Sequence, residues 1–326
     1  AEAGFHAFMI YYISRIFPKR VRGYAVGVSF VAVPCSMIVA SPLSGALLDV
    51  DWAGLHGWQS LFILEGVPSV LMGLLCLKLI PDTPAQAKFL TDEERAWLSN
   101  ELSEVADDSA HSSALRNIRE AAFNPLVWAL GFVLFTMVLA INVMTIWMPL
   151  MIRQVSGAGN LAVGALNSLP WITFSIGCLI AGRSSDKVKD RATPLRISVA
   201  IATFGFFCAA ALQQSSTTLA FVAFLPACPG ARGAQGVFWA LAMQLLEGRA
   251  AAAAFAMITV VGSGSGVFAH PLIGSLHDST GSFAGLVWTL AAFYVAALAT
   301  LHWICRPRAP TKPDADSTGL QPGAAK

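Results

Sequence analysis

Nine apolar stretches constrain this chain more than any short motif does. Most of them approach or exceed the ~20 residues that a transmembrane helix needs. Because backbone polar groups in lipid must be paired internally, spanning segments form helices or closed barrels. The 326 residues are 56% hydrophobic and 12% charged, which predicts an all-α integral membrane protein. The stretches are residues 3–17, 24–48, 60–80, 126–151, 161–182, 197–212, 219–246, 252–276 and 283–304.

The basic residues predict the orientation of these spans. When the connections are assigned to alternate sides, all of the 21 lysine and arginine residues except two lie on the same side. The two exceptions are Arg153 and Arg232. The positive side is cytoplasmic in most membrane proteins. We therefore predict a multi-pass protein of the cell (inner or plasma) membrane, surrounded by lipid, with a cytoplasmic C terminus. The net charge of +2 follows from this asymmetry and does not indicate nucleic-acid binding. We expect a monomer.

The connections divide the predicted spans into parts. Residues 1–80 are predicted to form a partial N-terminal bundle of three spans. A short basic cytoplasmic turn at 17–23 connects the first span to the second. Residues 81–125 form a cytoplasmic loop with an amphipathic helix, whose start is marked by a capping box at Thr91 and Glu94. A plain solvated helix is the alternative there. Residues 126–305 form a C-terminal six-helix bundle, and 306–326 a disordered cytoplasmic tail.

An eight-residue pattern occurs twice, each time at the end of a long apolar stretch. PLSGALLD (42–49) returns as PLIGSLHD (271–278), with Pro42 and Pro271 lying 229 positions apart. That spacing exceeds any solenoid period and indicates duplication of a half-protein. Parallel repeats of this kind occur in membrane transporters.

Several motifs resemble the anion:cation symporters of the major facilitator superfamily. AEAGF (1–5) and YYISRIFP (11–18) are similar to the fourth helix of that family, and GWQSLFILEGVP (57–68) to the sixth. PDTP (81–84) and LTDEERAWL (90–98) resemble its central loop. FW (238–239) and TGS (280–282) resemble the tenth helix and the last outer loop. The resemblance implies a two-bundle fold with nine of twelve transmembrane helices present, lacking the first three.

This resemblance implies a secondary active transporter rather than an enzyme. The expected activity is proton-coupled symport of a small organic anion, a carboxylate or sugar acid, by alternating access. One alternative is an exporter of the same superfamily that expels a drug or metabolite by proton antiport. Another is a non-transporting membrane sensor or a defunct fragment.

Charged residues inside predicted spans are the first candidates for the site. Glu2 matches the family's helix-four glutamate, which resembles a proton-coupling carboxylate, and His6 lies one helical turn away. Arg232 lies about 20 Å into its predicted span, where a charge costs ~2.5 kcal/mol or more. It is a candidate for substrate binding on physical grounds alone. The alternatives are an ion pair with Glu2, carbonyl contacts near Pro226 and Pro229, and, for His6, simple space filling.

Trp239 and Asn142 are further candidates for substrate binding. Trp239 matches the family's aromatic residue near the substrate, whereas Asn142 is a polar residue within a span, and either could instead serve helix packing. GRSSDK (182–187) looks like the superfamily's cytoplasmic gating motif. Its gating candidates, against the alternative of an ordinary basic loop, are Arg183, Asp186, Lys187 and Arg191.

No cofactor or metal is expected from the sequence. The six cysteines fall within spans without the spacing of metal ligands. GSGSG (262–266) lies amid an apolar stretch with no preceding strand, which is typical of close helix packing rather than phosphate binding. No catalytic residues are predicted.

Overall fold

The computed structural model describes residues 9, 12–13, 16–52, 54–81, 83, 86–87, 90–103, 114–187, 192–213, 215–233, 235–246 and 251–306. Helices dominate this part of the chain, with one π-helical turn at Val143–Trp147. In chain order the helices are α1 (Lys19–Leu47), α2 (Gly57–Leu79), α3 (Asp92–Ser103), α4 (Ala114–Phe123), α5 (Pro125–Asn142), α6 (Met148–Ser156), α7 (Asn160–Lys187), α8 (Ala192–Leu212), α9 (Thr217–Phe224), α10 (Ala227–Gly233), α11 (Gln235–Leu245), α12 (Ala251–Ser263), α13 (Ser265–Thr280) and α14 (Ala284–Ile304).

Six helical stretches within the described residues are long and apolar enough to cross a membrane, and Val31–Leu47 is a shorter apolar helix. The predicted count of nine spans therefore stays a prediction. The six stretches are Gly57–Leu79, Pro125–Gln154, Asn160–Ile180, Ala192–Leu212, Ala251–Thr280 and Ala284–Ile304.

Helix α2 has the composition and exposure of a membrane-spanning helix. Its apolar side chains point outward on all sides, with Phe62 69% and Leu77 82% exposed. A helix of this kind is unstable in water, because its apolar surface lacks protein to pack against. The exposed surface instead suits the hydrocarbon core of a bilayer.

The buried core lies in the second half of the chain. Phe206 of α8 stacks at a tilt against Phe224 of α9, with ring centroids 5.1 Å apart, and against Tyr294 of α14 at 5.0 Å. All three side chains are almost fully buried. These rings join the consecutive helices α8 and α9 to α14, which is distant from them in sequence.

The predicted span 219–246 is not one continuous helix within the described residues. The helix is interrupted at residues 225–226, between α9 and α10. Pro226 and Pro229 contribute to this interruption, because proline lacks the N–H of a continuous helix. Arg232 lies in the helical stretch that follows it.

The predicted basic turn at 17–23 is also too long. Helix α1 begins at Lys19, directly after Pro18. The first basic residues, Lys19, Arg20 and Arg22, therefore belong to the helix. Proline before the first helical residue explains the boundary, since it ends the preceding helix and cannot continue it.

The capping box at the start of α3 is confirmed. The backbone N–H of Thr91 donates to Glu94 Oε2 at 2.9 Å, and the N–H of Glu94 donates to Thr91 Oγ1 at 3.3 Å. The Thr91 backbone N–H, and then its side chain, hold the pKa of the Glu94 carboxyl below its ordinary value. The cap therefore contributes to helix stability at neutral pH, and that contribution is lost as the pH falls through the lowered pKa.

A glycine contact inside the second half gives a test of this packing. A Cβ at Gly177 of α7 would overlap the Cα and Cβ atoms of Pro229 in α10. We expect Gly177→Ala to destabilise the protein by ~1–3 kcal/mol through overpacking, seen as a lower melting temperature in detergent. Gly73→Ala in α2 is the matched control, because no atom lies within 4 Å of its added Cβ. Equal melting of the two variants would contradict the packing described.

Candidate functional site

Among the described residues, α1 of the N-terminal part and α7 of the C-terminal part approach each other closely. A Cβ at Gly45 would overlap the carbonyl oxygen of Asn160, and a Cβ at Gly164 would overlap that of Ser41. Small residues let helix backbones approach closely in membranes, where the hydrophobic effect does not drive helix association. We call this contact the α1–α7 seam, formed by Ser41, Gly45, Asn160, Gly164 and Asn167.

Hydrogen bonds run along the same seam. Asn167 Nδ2 donates to Ser41 Oγ at 2.9 Å, and Asn160 Nδ2 donates to Asp49 Oδ1 at 2.6 Å. Arg153 donates to Asn160 Oδ1 at 3.3 Å. The seam is therefore closed at its Asp49 end. These polar contacts are few and partly exposed, so closure depends chiefly on the fit of small residues.

A second contact joins the end of α5 and the π turn to α13 and to Phe283, which directly precedes α14. Asn142 Nδ2 donates to Ser265 Oγ at 3.3 Å, between helices that are 123 positions apart in sequence. Trp147, at the end of the π turn, meets the edge of Phe283 with ring centroids 6.2 Å apart, and His277 stacks on the same ring at 4.3 Å. We call this contact the α5–α13 seam. The structure places Asn142 within it, in a helix-to-helix hydrogen bond.

Helix α10, which carries the backbone of Arg232, lies in the buried core of the C-terminal part of the chain. The hydroxyl of Tyr294 donates to the carbonyl oxygen of Ala231 at 3.0 Å, and both residues are fully buried. Gly230 also lies against the backbone of α8, where a Cβ would overlap the Ser198 carbonyl oxygen. The position of α10 is thus fixed on two sides, while the Arg232 side chain lies outside the described part of the structure.

Trp239 lies one helix further along, in α11. Its ring is half-buried and packs edge-on against Phe238 at 5.3 Å and against Phe255 of α12 at 6.3 Å. These contacts hold the indole between two helices. They show a packing role, and substrate contact by Trp239 stays a prediction.

The other predicted residues are only partly described. Glu2, His6 and Arg191 lie outside the described residues. The backbone of α7 continues as a helix to Lys187, so Arg183, Asp186 and Lys187 lie on a helix end and not in a loop, which corrects the predicted placement.

Several polar residues in or near the two seams were not among the residues predicted from the sequence. Asn167 and Trp171 are buried in α7, and His270 lies within the apolar α13. The repeated sequence pattern could have identified the two histidines, since His270 directly precedes its second copy and His277 lies within that copy. Ionisable residues inside membrane spans are functional candidates by default.

Glu65 has a structural contact instead. The hydroxyl of Ser44 in α1 donates a short hydrogen bond to its carboxylate in α2. Among the residues that the structure describes, no group of three or more histidine, cysteine, aspartate or glutamate side chains could hold a metal ion.

Known proteins share this architecture. A family model described as "Major Facilitator Superfamily" matches residues 1–270. A quinolone resistance transporter of Acinetobacter baumannii is 35% identical over 89% of this chain and 67% of its own length. A putative tartrate transporter of Agrobacterium vitis is 32% identical over 92% of this chain and 69% of its own. The chain thus spans about two thirds of the length of these relatives.

The solved structures agree in fold. The xylose transporter XylE of E. coli, in a partially occluded inward-open conformation, superposes with a TM-score of 0.64 at 17% identity, over 93% of this chain and 68% of that one. The match confirms the predicted all-α membrane fold. The family assignment also supports the prediction that the chain is not an enzyme. On the extent of the family match and of these identities, the chain belongs to the Major Facilitator Superfamily of membrane transporters.

Proposed function

We propose that the protein is a secondary active transporter that carries a small organic anion together with protons by alternating access. The observation that carries this proposal is the α1–α7 seam. Two repeat halves meet there through Gly45 and Gly164, and few hydrogen bonds hold the contact. Such a surface can separate as a rigid body without unfolding either helix. The similarity to a putative tartrate transporter supports an organic anion as the substrate.

Arg232 is the residue we propose for binding the carboxylate. An anion that enters the membrane interior loses its hydration and needs a fixed cation. Arginine offers paired donors that match a carboxylate geometrically. Helix α10 is held in place by Tyr294 and Gly230, so its backbone is a rigid base for such a contact. Trp239 and Asn142 are proposed to line the same substrate path.

Glu2 is the residue we propose for proton coupling, with His6 as its neighbour on the same predicted helix. A carboxylate within lipid changes charge when it binds a proton, and the charged form is strongly disfavoured there. Protonation of Glu2 can therefore favour one conformation over the other. Cotransport follows if anion binding favours the same conformation.

The second gate is proposed at the opposite end from Asp49. Arg183, Asp186, Lys187 and Arg191 lie at or just beyond the end of α7. Pairing between Asp186 and basic residues could hold that end closed and break when it opens. We further propose that this end and the C terminus face the cytoplasm, and that the protein works as a monomer in lipid.

An exporter is the second candidate. A relative 35% identical over 295 residues is a quinolone resistance transporter, a name that points to export of a drug. Uptake measured in membrane vesicles of both orientations separates the two functions. Proton-driven accumulation in right-side-out vesicles supports the importer, whereas accumulation only in inside-out vesicles supports the exporter.

Glu2→Gln tests proton coupling. We expect proton-driven accumulation of tartrate to be lost in proteoliposomes, because glutamine cannot take up a proton, while counterflow exchange remains measurable. Glu65→Gln is the control, since Glu65 already accepts a hydrogen bond from Ser44, and we expect both activities to persist. Unchanged accumulation against a gradient in Glu2→Gln would remove Glu2 from the coupling mechanism.

Arg232 substitutions test carboxylate binding. We expect Arg232→Lys to weaken tartrate binding about tenfold, since lysine keeps the charge but not the paired donors, and Arg232→Ala to weaken it ~100-fold or more. Calorimetry measures binding, and melting in detergent measures stability. Arg116→Ala on the exposed face of α4 serves as the control. If Arg232→Ala binds tartrate normally and has a much lower melting temperature, Arg232 stabilises the fold and does not bind substrate.

A further inference from the structure

Three ring nitrogens in the α5–α13 seam are buried without a hydrogen-bond partner. They are Trp147 Nε1, His270 Nδ1 and His277 Nδ1, and none has a partner in the described structure. Each side chain is itself only partly buried. Membrane helices rarely leave buried polar atoms unpaired, because lipid offers no water to replace the lost hydrogen bonds. Other buried polar atoms are also unpaired, Asn167 Oδ1 and Trp171 Nε1 of α7 among them, but three along one contact call for an explanation.

The register of α13 places His270 on the face of the helix that meets α5 and the π turn. A Cβ at Gly266 would lie 3.6 Å from Asn142 Nδ2, and a Cβ at Gly274 would lie 3.9 Å from Trp147 Cη2. Residues four apart on a helix share one face. His270 is four positions from both glycines, so it lies on the same face, between the levels of Asn142 and Trp147.

The backbone is irregular on both sides of this place. The π turn at Val143–Trp147 interrupts the helix that carries Trp147. On the other side, α12 passes into α13 through Gly264, a single turn residue that keeps helical backbone angles. π turns are frequent at functional sites, and Gly/Ser pairs such as Gly264 and Ser265 are points at which helices bend. The two sides of the seam can therefore separate slightly to admit a small group.

The chemistry of the seam suits a hydroxyl group. The indole N–H can only donate, whereas an imidazole nitrogen can donate or accept and an asparagine amide can do both. The described segments 125–147 and 265–277 contain no aspartate, glutamate, lysine or arginine, and Asp278 follows directly after them. A carboxylate needs a cation close by, but a hydroxyl needs only a donor and an acceptor.

His270 is more available than His277. The ring of His277 is stacked on Phe283 with the planes 15° apart, which fixes its orientation. No ring contact of that kind is seen for His270 among the described residues. Half a turn about its Cβ–Cγ bond exchanges Nδ1 with Cδ2, and so moves the nitrogen from the buried edge toward the exposed edge of the ring.

We propose that His270 and Trp147 form a subsite that binds a hydroxyl group of the transported anion. The protein would then select hydroxylated carboxylates over carboxylates of the same length that lack hydroxyl groups. This inference rests on the proposed transport of organic anions. It adds the residues that determine which anion is preferred, at a place distinct from Arg232.

Tartrate and succinate are suitable probes, because they share a four-carbon dicarboxylate skeleton and differ in their hydroxyl groups. The measurement is equilibrium binding of each anion to the purified protein in detergent. We expect the wild type to prefer tartrate by at least about tenfold. His270→Phe and Trp147→Phe each keep an aromatic ring and remove the hydrogen-bonding nitrogen. Both should weaken tartrate binding about tenfold and leave succinate binding unchanged.

His270→Asn is the rescue variant, since its amide can occupy much the same position as Nδ1 and should restore part of the preference. His302→Gln and Trp303→Phe are matched controls at the exposed end of α14, where both side chains lie outside the core. They should keep the full preference for tartrate. Melting temperatures of all variants show whether the seam variants remain folded.

The possible failures are distinguishable. If the wild type binds both anions equally, or if the seam variants weaken both anions by the same factor, the subsite is wrong while anion transport stands. If His270→Phe unfolds, Trp147→Phe decides: a folded Trp147→Phe that keeps the full wild-type preference for tartrate overturns the subsite. If the wild type binds neither anion, the proposed function fails and the subsite fails with it.

Discussion

The close approach of α1 and α7 is the contact on which the rest of the arrangement depends. Gly45 and Gly164 allow backbone atoms of the two helices to meet where any larger residue would overlap a carbonyl oxygen. In lipid, the hydrophobic effect does not hold helices together, so fit and a few hydrogen bonds must do so. A contact of this kind is specific in geometry and modest in strength. Both properties suit a surface that must close and reopen.

The two seams share a common plan and differ in their polar content. At the first seam, Ser41 and Asp49 accept hydrogen bonds from Asn167 and Asn160 of α7, while Asn167 Oδ1 is buried without a partner among the described residues. The second copy of the repeat lies in α13, where Gly274 faces Trp147 and buried ring nitrogens lack partners. The first seam is thus bridged by two side-chain hydrogen bonds between its helices. The second seam has three unpaired ring nitrogens against one unpaired oxygen in the first, so it has the greater capacity to bind a ligand.

Much of the fold could be predicted from the sequence because it depends on local patterns. The predicted span 283–304 corresponds to Ala284–Ile304, and the capping box at Thr91 sets the start of α3. These features follow from composition and from contacts between near neighbours. The break within 219–246 was not predicted, since Pro34 and Pro42 lie inside a continuous α1 whereas Pro226 and Pro229 accompany a helix interruption. Proline alone does not decide between these outcomes.

The candidate site could be predicted only in part. Charge within a span singled out Arg232, and polarity singled out Asn142. The pairing of Asn142 with Ser265, and the position of His270 opposite a π turn, depend on which helices meet and in what register. Hydropathy carries no information about either. A residue such as Trp147 is indistinguishable in sequence from an ordinary packing tryptophan.

The central claim is that the α1–α7 seam opens and closes during transport. The most direct measurement is the distance between spin labels at Val50 and Gly159, two exposed positions at the Asp49 end, in reconstituted protein whose native cysteines are replaced. The account predicts a short and a long distance, whose proportions change when tartrate is added or the pH is lowered. A single short distance that neither condition alters would contradict it.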